Sequence, residues 1–213
     1  MLLHKLCLIA LAVGSAPLAS VAQTPTASTR YYVGLGGSLL SDFRSGSSRF
    51  PALSLTAGRQ LKPRVALQTG VTVGWRSYSY GYSYVNSGQT IPTFYESGTR
   101  TTFITVPVLL RYTLSQSVNR LQVDALVGLS LIASINRGTS TVTYNNQTQY
   151  SDSYRNSGFR GTLVAGPALR YGLTPRVALM AEIPVNFVIG DFGGRLSDQF
   201  FYNLQVGGRY NFG

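Results

Sequence analysis

From Tyr202 to Phe212 every second residue is apolar, aromatic or Gly, and the positions between are Asn203, Gln205, Gly207, Arg209 and Asn211. Successive strand side chains point to opposite faces, so this alternation predicts a strand with one apolar and one polar face. Strands of soluble sheets usually stop at about five or six residues. A longer run with aromatics at both ends of its apolar face suits a bilayer, which tilted strands of about 9–11 residues cross. Backbone donors and acceptors cannot stay unpaired in hydrocarbon, so such a strand has to belong to a closed barrel.

The rest of the chain supplies seven partners with the same period: Tyr31–Ser41, Pro51–Gln60, Arg64–Arg76, Thr101–Leu114, Arg120–Ala133, Phe159–Tyr171 and Arg176–Ile189. Arg64–Arg76 is the clearest, with Val65, Leu67, Val71, Val73 and Trp75 against Ala66, Gln68, Gly70, Thr72, Gly74 and Arg76. The whole reads as an all-β, closed, antiparallel eight-stranded transmembrane β-barrel. Its connections alternate in length: Asp42–Phe50, Ser77–Arg100, Ser134–Gly158 and Gly190–Asp198 are long, whereas Leu61–Pro63, Ser115–Asn119 and Gly172–Pro175 are short. Outer-membrane barrels have long extracellular loops and short periplasmic turns, so this sorting predicts periplasmic termini. A soluble lipocalin-like barrel, the competing reading, has no reason to sort its loops so. Leu61–Leu67 and Leu173–Leu179 nearly repeat one another, with Pro63 and Pro175 at equivalent places in two short turns.

Three descending strands end alike, in Arg111-Tyr112, Arg170-Tyr171 and Arg209-Tyr210. Parity sends Tyr112, Tyr171, Tyr210 and Phe212 outward at the periplasmic end, where an aromatic girdle belongs, and Trp75 outward near the other end. The arginines then point into the lumen.

Composition changes the picture at three points. Residues 1–22 read as a cleaved signal peptide: His4 and Lys5, an apolar run from Leu6 to Val13, then Ser20-Val21-Ala22. Residues 23–30 would follow as a short periplasmic segment, and 31–213 as the barrel domain. Cleavage removes Cys7 and His4, the only Cys and His, so the mature chain has no thiolate, imidazole or disulfide. A pI near 10.1 could point to nucleic acid, but the sixteen arginines are scattered singly and no nucleic-acid partner is expected. Catalysis is argued against by the missing His, and neither metal-ligand spacing nor a phosphate loop occurs, so no cofactor is expected.

With signal peptide, strand count, sorted loops and a last strand ending Tyr210-Asn211-Phe212, the chain resembles the small eight-stranded bacterial outer-membrane β-barrel family (the OmpA/OmpX-like domain) over nearly all of residues 31–212. The resemblance implies residence in the outer membrane, contact with its lipid, and handling by the barrel-assembly machinery during biogenesis.

An eight-stranded barrel has room inside only for side chains, so the lumen should be packed. Its charge network is predicted to comprise Arg76, Arg111, Asp124, Arg160, Arg170, Glu182 and Arg209. These residues could form a structural salt-bridge plug, or an ion gate or proton path. A turn centred on Ser117 puts Arg111 opposite Val123 and makes Asp124 its nearest inward partner. Tyr78, Tyr80, Tyr82 and Tyr84, spaced by Ser and Gly, open the longest connection. They read as a strand extension past the membrane or as an adhesive surface for an extracellular ligand, since Tyr gives rigid contact area at low entropy cost. The functional expectation is a structural or surface-interaction protein; a narrow pore and an envelope-lipid hydrolase are the alternatives.

Overall fold

The computed structural model describes residues 31–42, 49–85, 87–88, 91–115, 120–145, 147–189 and 199–212. The predicted signal peptide, residues 23–30, and the interiors of the predicted connections at 42–50, 115–119 and 190–198 lie outside the described residues. The alternating segments form β1 (Tyr31–Asp42), β2 (Arg49–Lys62), β3 (Val65–Tyr84), β4 (Thr93–Thr113), β5 (Leu121–Tyr144), β6 (Gln147–Gly172), β7 (Val177–Glu182), β8 (Val185–Val188) and β9 (Phe200–Phe212).

Neighbours from β1 to β6 pair antiparallel in sequence order, and β1 pairs β9 from Tyr31↔Phe212 to Asp42↔Phe201, which closes the ring. β7 and β8 together make one barrel strand. Both lie between β6 and β9, and the register against β6 is the same on either side of the break (Ala168↔Glu182, Ala165↔Val185). The interruption falls at Ile183–Pro184, since Pro has no N–H to give to a ladder. Pairing nevertheless continues across it: the Ile183 N–H donates to Pro167 O at 3.0 Å and the Asn203 N–H to Pro184 O at 3.0 Å. The ring therefore has eight strands.

Alternation decides which side chains fill the ring. Outer-face residues such as Leu35, Leu55, Val127, Leu129 and Val206 are apolar and exposed. Inner-face residues are small or polar and buried, among them Ser54, Thr56, Gln68, Thr162 and Asn186, with a small apolar cluster of Leu109, Leu126, Val164 and Ala168. Glycine is needed where strands crowd. A Cβ on Gly128 would lie 2.1 Å from the Val108 carbonyl oxygen, a backbone atom that cannot rotate away. Gly128→Ala should therefore cost about 1–3 kcal/mol in urea unfolding of the lipid-reconstituted barrel. Gly161→Ala, where a Cβ meets nothing within 4 Å, should leave the midpoint unchanged.

The strand extension expected at Tyr78–Tyr84 is present, and the departure from the sequence reading is that the connection at 134–158 shares it. Most of the predicted loops at 77–100 and 134–158 is strand: β3 pairs β4 out to Tyr84↔Thr93, and β5 pairs β6 out to Tyr144↔Gln147. β4 also pairs β5 throughout, so the four strands continue together as a sheet beyond the ring. Its Tyr, Thr and Val content favours extended backbone. The extension leaves from one end of the barrel, and the short turns and both described termini lie at the other.

Candidate functional site

The lumen is organised around Arg111 on β4. Its Nη1 donates to Asp124 Oδ2 at 2.7 Å; Nε and Nη2 donate to Gln68 Oε1 at 3.1 and 2.7 Å; and Nη2 also pairs with Glu182 Oε1. Arg111, Asp124 and Glu182 are 2%, 0% and 2% exposed, so all three charges are desolvated. Such charges persist only when paired and hydrogen-bonded. Arg111 spans the ring, joining β3, β5 and β7.

The register behind the Arg111–Asp124 pair differs from the predicted one. Arg111 lies opposite Leu126, three residues from the expected Val123, and Asp124 lies opposite Thr113. The strand reversal is centred beyond Ser117, with the Leu114 N–H bonding Val123 O at 2.8 Å. Asp124 is thus a diagonal neighbour of Arg111, within reach of a long side chain.

Arg170 on β6 approaches the same carboxylate, Nη2 to Asp124 Oδ1 at 3.5 Å, and Thr113 Oγ1 at 3.4 Å. Arg209 on β9 meets no carboxylate among the described residues. Its guanidinium carbon sits 3.6 Å from the centroid of the Tyr32 ring and its Nε donates to Asn211 Oδ1 at 2.6 Å. A desolvated cation–π contact of this kind contributes about 2 kcal/mol. Tyr32 can lie flat there because its cross-strand partner is Gly58, where a Cβ would fall 2.2 Å from the ring. Its hydroxyl donates to Gln68 Oε1 at 3.0 Å.

Tyr32 and Gln68 are absent from the predicted network, although both have inward parity; a pattern of charges does not single out neutral partners. Arg76 and Arg160 are corrections in the other direction. Both carry inward parity, yet both are exposed. Among the described residues β2 makes its last pair with β3 at Gly74, and β8 ends opposite Thr162, so neither strand pairs at the level of Arg76 or Arg160.

Next to this hub a cavity of about 40 Å³ is lined by Thr56, Gln68, Ser130, Glu182, Asn186 and Gln205, among others. It mixes these polar groups with Leu40, Leu109, Val164 and Phe201, and it is large enough for water. No three His, Cys, Asp or Glu among the described residues cluster as a metal site.

Outside, Tyr112, Tyr171, Tyr210 and Phe212 are exposed on the outer face at the turn end, and Trp75 on the same face toward the extension. Tyr31 joins the first group by stacking on Phe212 at 6.1 Å. On the extension, Tyr78, Tyr80, Tyr82 and Tyr84 continue the inward-parity row and are exposed. They form a ladder with Tyr95: ring centroids are 5.9 Å apart for Tyr78–Tyr80 and Tyr80–Tyr95, 5.0 Å for Tyr82–Tyr95 and 6.0 Å for Tyr82–Tyr84. Hydrogen bonds from Ser140 and then Tyr80 hold the Tyr95 phenol below its ordinary pKa, and the bond to Tyr95 holds Tyr80 above its own.

Residues 44–213 match the sequence family described as the outer membrane protein beta-barrel domain. No curated protein sequence matches the chain. Several solved barrels resemble it in fold. A major outer membrane protein of Thermus thermophilus is 13% identical, with a TM-score of 0.48 over 85% of this chain and 99% of that one. Ail of Yersinia pestis is 11% identical, with a TM-score of 0.43 over 86% and 97%. OprG of Pseudomonas aeruginosa is 10% identical, with a TM-score of 0.43 over 86% and 96%.

Proposed function

Because the chain belongs to the outer-membrane-protein β-barrel domain family, and so to the bacterial outer membrane, we propose that it is a non-catalytic surface-interaction protein whose binding face is the Tyr ladder of the extension. In this reading the four-stranded extension is extracellular, the termini and short turns are periplasmic, and residues 1–22 are removed on export. The carrying observation is the row Tyr78, Tyr80, Tyr82 and Tyr84, exposed yet held by ring contacts to one another and to Tyr95. Rigid, exposed aromatics offer contact area without an ordering cost. The buried Arg111 hub supports the second half of the reading, a lumen that is packed and does not conduct as a general porin does.

The test has two arms. Tyr78, Tyr80, Tyr82 and Tyr84 changed together to Ser should leave the heat-modifiable gel shift of the folded barrel intact. The same change should lower adhesion of cells displaying the protein to immobilised extracellular-matrix proteins by at least about tenfold, the effect of losing two or three contact aromatics. Unchanged adhesion removes the Tyr face from the proposal. In planar bilayers the wild-type protein should give no stable conductance in the general-porin range; such conductance would favour the pore reading.

A further inference from the structure

The other face of the extension carries a row of like charges that neither the ring nor the lumen requires. Arg100 lies directly opposite Arg137, and Arg137 directly opposite Arg155. Directly opposed residues share a face, and strands are about 4.8 Å apart, so three guanidinium groups stand in one row about 10 Å across. All three are exposed, and none makes an ion pair among the described residues. Glu96 is on the same face but two rungs further out, opposite Thr141, and Asp152 is on the opposite face, opposite Ser140. Like charges directly opposite one another destabilise a sheet. A polyanion laid along the row would turn that repulsion into attraction.

The height of the row says which anion. Its face is the apolar outer face of the barrel, continued along β5 from Val127, Leu129 and Leu131. One rung below the arginines runs the row Trp75–Thr102–Ile135–Ser157. Trp rings of membrane proteins sit at headgroup level. The next rung outward therefore meets the charged part of the headgroups. Below Arg155 on the same strand face is Phe159, 73% exposed, placed to meet acyl chains.

We propose that Arg100, Arg137 and Arg155 form a docking site for the phosphate groups of an anionic lipid headgroup, in the leaflet that adjoins the extension. Guanidinium groups bind phosphate oxygens in a bidentate fork, and three in a row suit a headgroup bearing more than one phosphate. The inference goes beyond the Tyr-face reading and does not depend on which side of the membrane the extension occupies.

The probe is bis-phosphorylated lipid A, added at trace level to neutral detergent micelles holding the folded full-length protein, with retention read by native mass spectrometry. The wild type should retain it, less so as salt rises, and should not retain its dephosphorylated form. R100Q/R137Q/R155Q should weaken retention by roughly fivefold for each arginine removed. R64Q/R120Q/R176Q, with the same charge change at the turn end, should retain it as the wild type does. The glutamines relieve repulsion, so the gel shift of the row variant should persist; should that variant fail to fold, R137Q alone is expected to weaken retention about fivefold. Equal retention by the row variant and the wild type overturns the proposal, as does an equal loss in the turn-end variant. Displacement of lipid A by millimolar inorganic phosphate would assign the row to a free anion and also overturn it.

Discussion

Arg111→Met should destabilise the folded barrel by about 3–5 kcal/mol, because it strands two buried carboxylates, Asp124 and Glu182. The loss should fall unequally on its two acidic partners. Without Arg111, Asp124 keeps Arg170 at 3.5 Å, whereas Glu182 keeps only the amide of Gln68, at 3.3 and 3.5 Å. Glu182 is thus the more exposed to the loss of its counter-charge. It follows that R111M/E182Q should recover more stability than R111M/D124N. Asp124→Asn alone should cost less than Arg111→Met, since Arg111 retains Glu182 and Gln68. Urea titration of the vesicle-reconstituted protein, followed through the single tryptophan Trp75, measures these four and Glu182→Gln alone. Strictly additive losses in both double mutants would mean that the three side chains are not coupled, and the hub would then be three independent contacts.

That hub is half legible in the sequence, and the missing half has a physical reason. Period-2 alternation reports which face a residue occupies, and so Arg111, Asp124, Arg170, Glu182 and Arg209 can all be placed inside. It reports nothing about height along the barrel. Arg76 and Arg160 have the same parity but stand beyond the last described pairs of β2 and β8. Alternation fixes register only to within steps of two: it excludes Val123, which has outward parity, as the residue opposite Arg111, but does not choose between Asp124 and Leu126. The position of Asp124 depends on the centre of a turn whose residues carry no distinctive turn chemistry.

The extension is harder to read for a different reason. Eight strands show in the sequence because one face is apolar along each of them. Beyond Trp75 and Ala133 the outward face is no longer apolar: it carries Ser77, Arg100, Arg137 and Arg155, while Tyr78, Tyr80, Tyr82, Tyr84 and Tyr95 stand on the other face, so the apolar outer row that marks the barrel strands ends. What holds these residues in strands is cross-strand pairing, which no single segment displays. The row Arg100–Arg137–Arg155 is invisible for the same reason: three arginines far apart in sequence become neighbours only through two registers. In the sequence they look like scattered cations.

Leu129→Arg should cost about 2–4 kcal/mol, and the same change at Ala125 or Ile135 about 0–1 kcal/mol, because the penalty for a lipid-facing arginine peaks at the bilayer midplane. The three positions share one strand and one face. Ala125 lies opposite Tyr112, in the lower girdle, and Ile135 lies opposite Thr102, which pairs with Trp75. Leu129 falls between them and is 56% exposed to whatever surrounds the barrel. On a water-facing strand an arginine at any of these sites would change stability by no more than about 0.5 kcal/mol, the usual range for surface substitutions. Unfolding free energies in lipid vesicles separate the two cases. A cost that peaks at Leu129 places the hydrocarbon between the Tyr112 and Trp75 levels, with the arginine row just outside it. A flat and small cost along the strand would mean that the outer face meets water, and the lipid-headgroup site would fall with the membrane span.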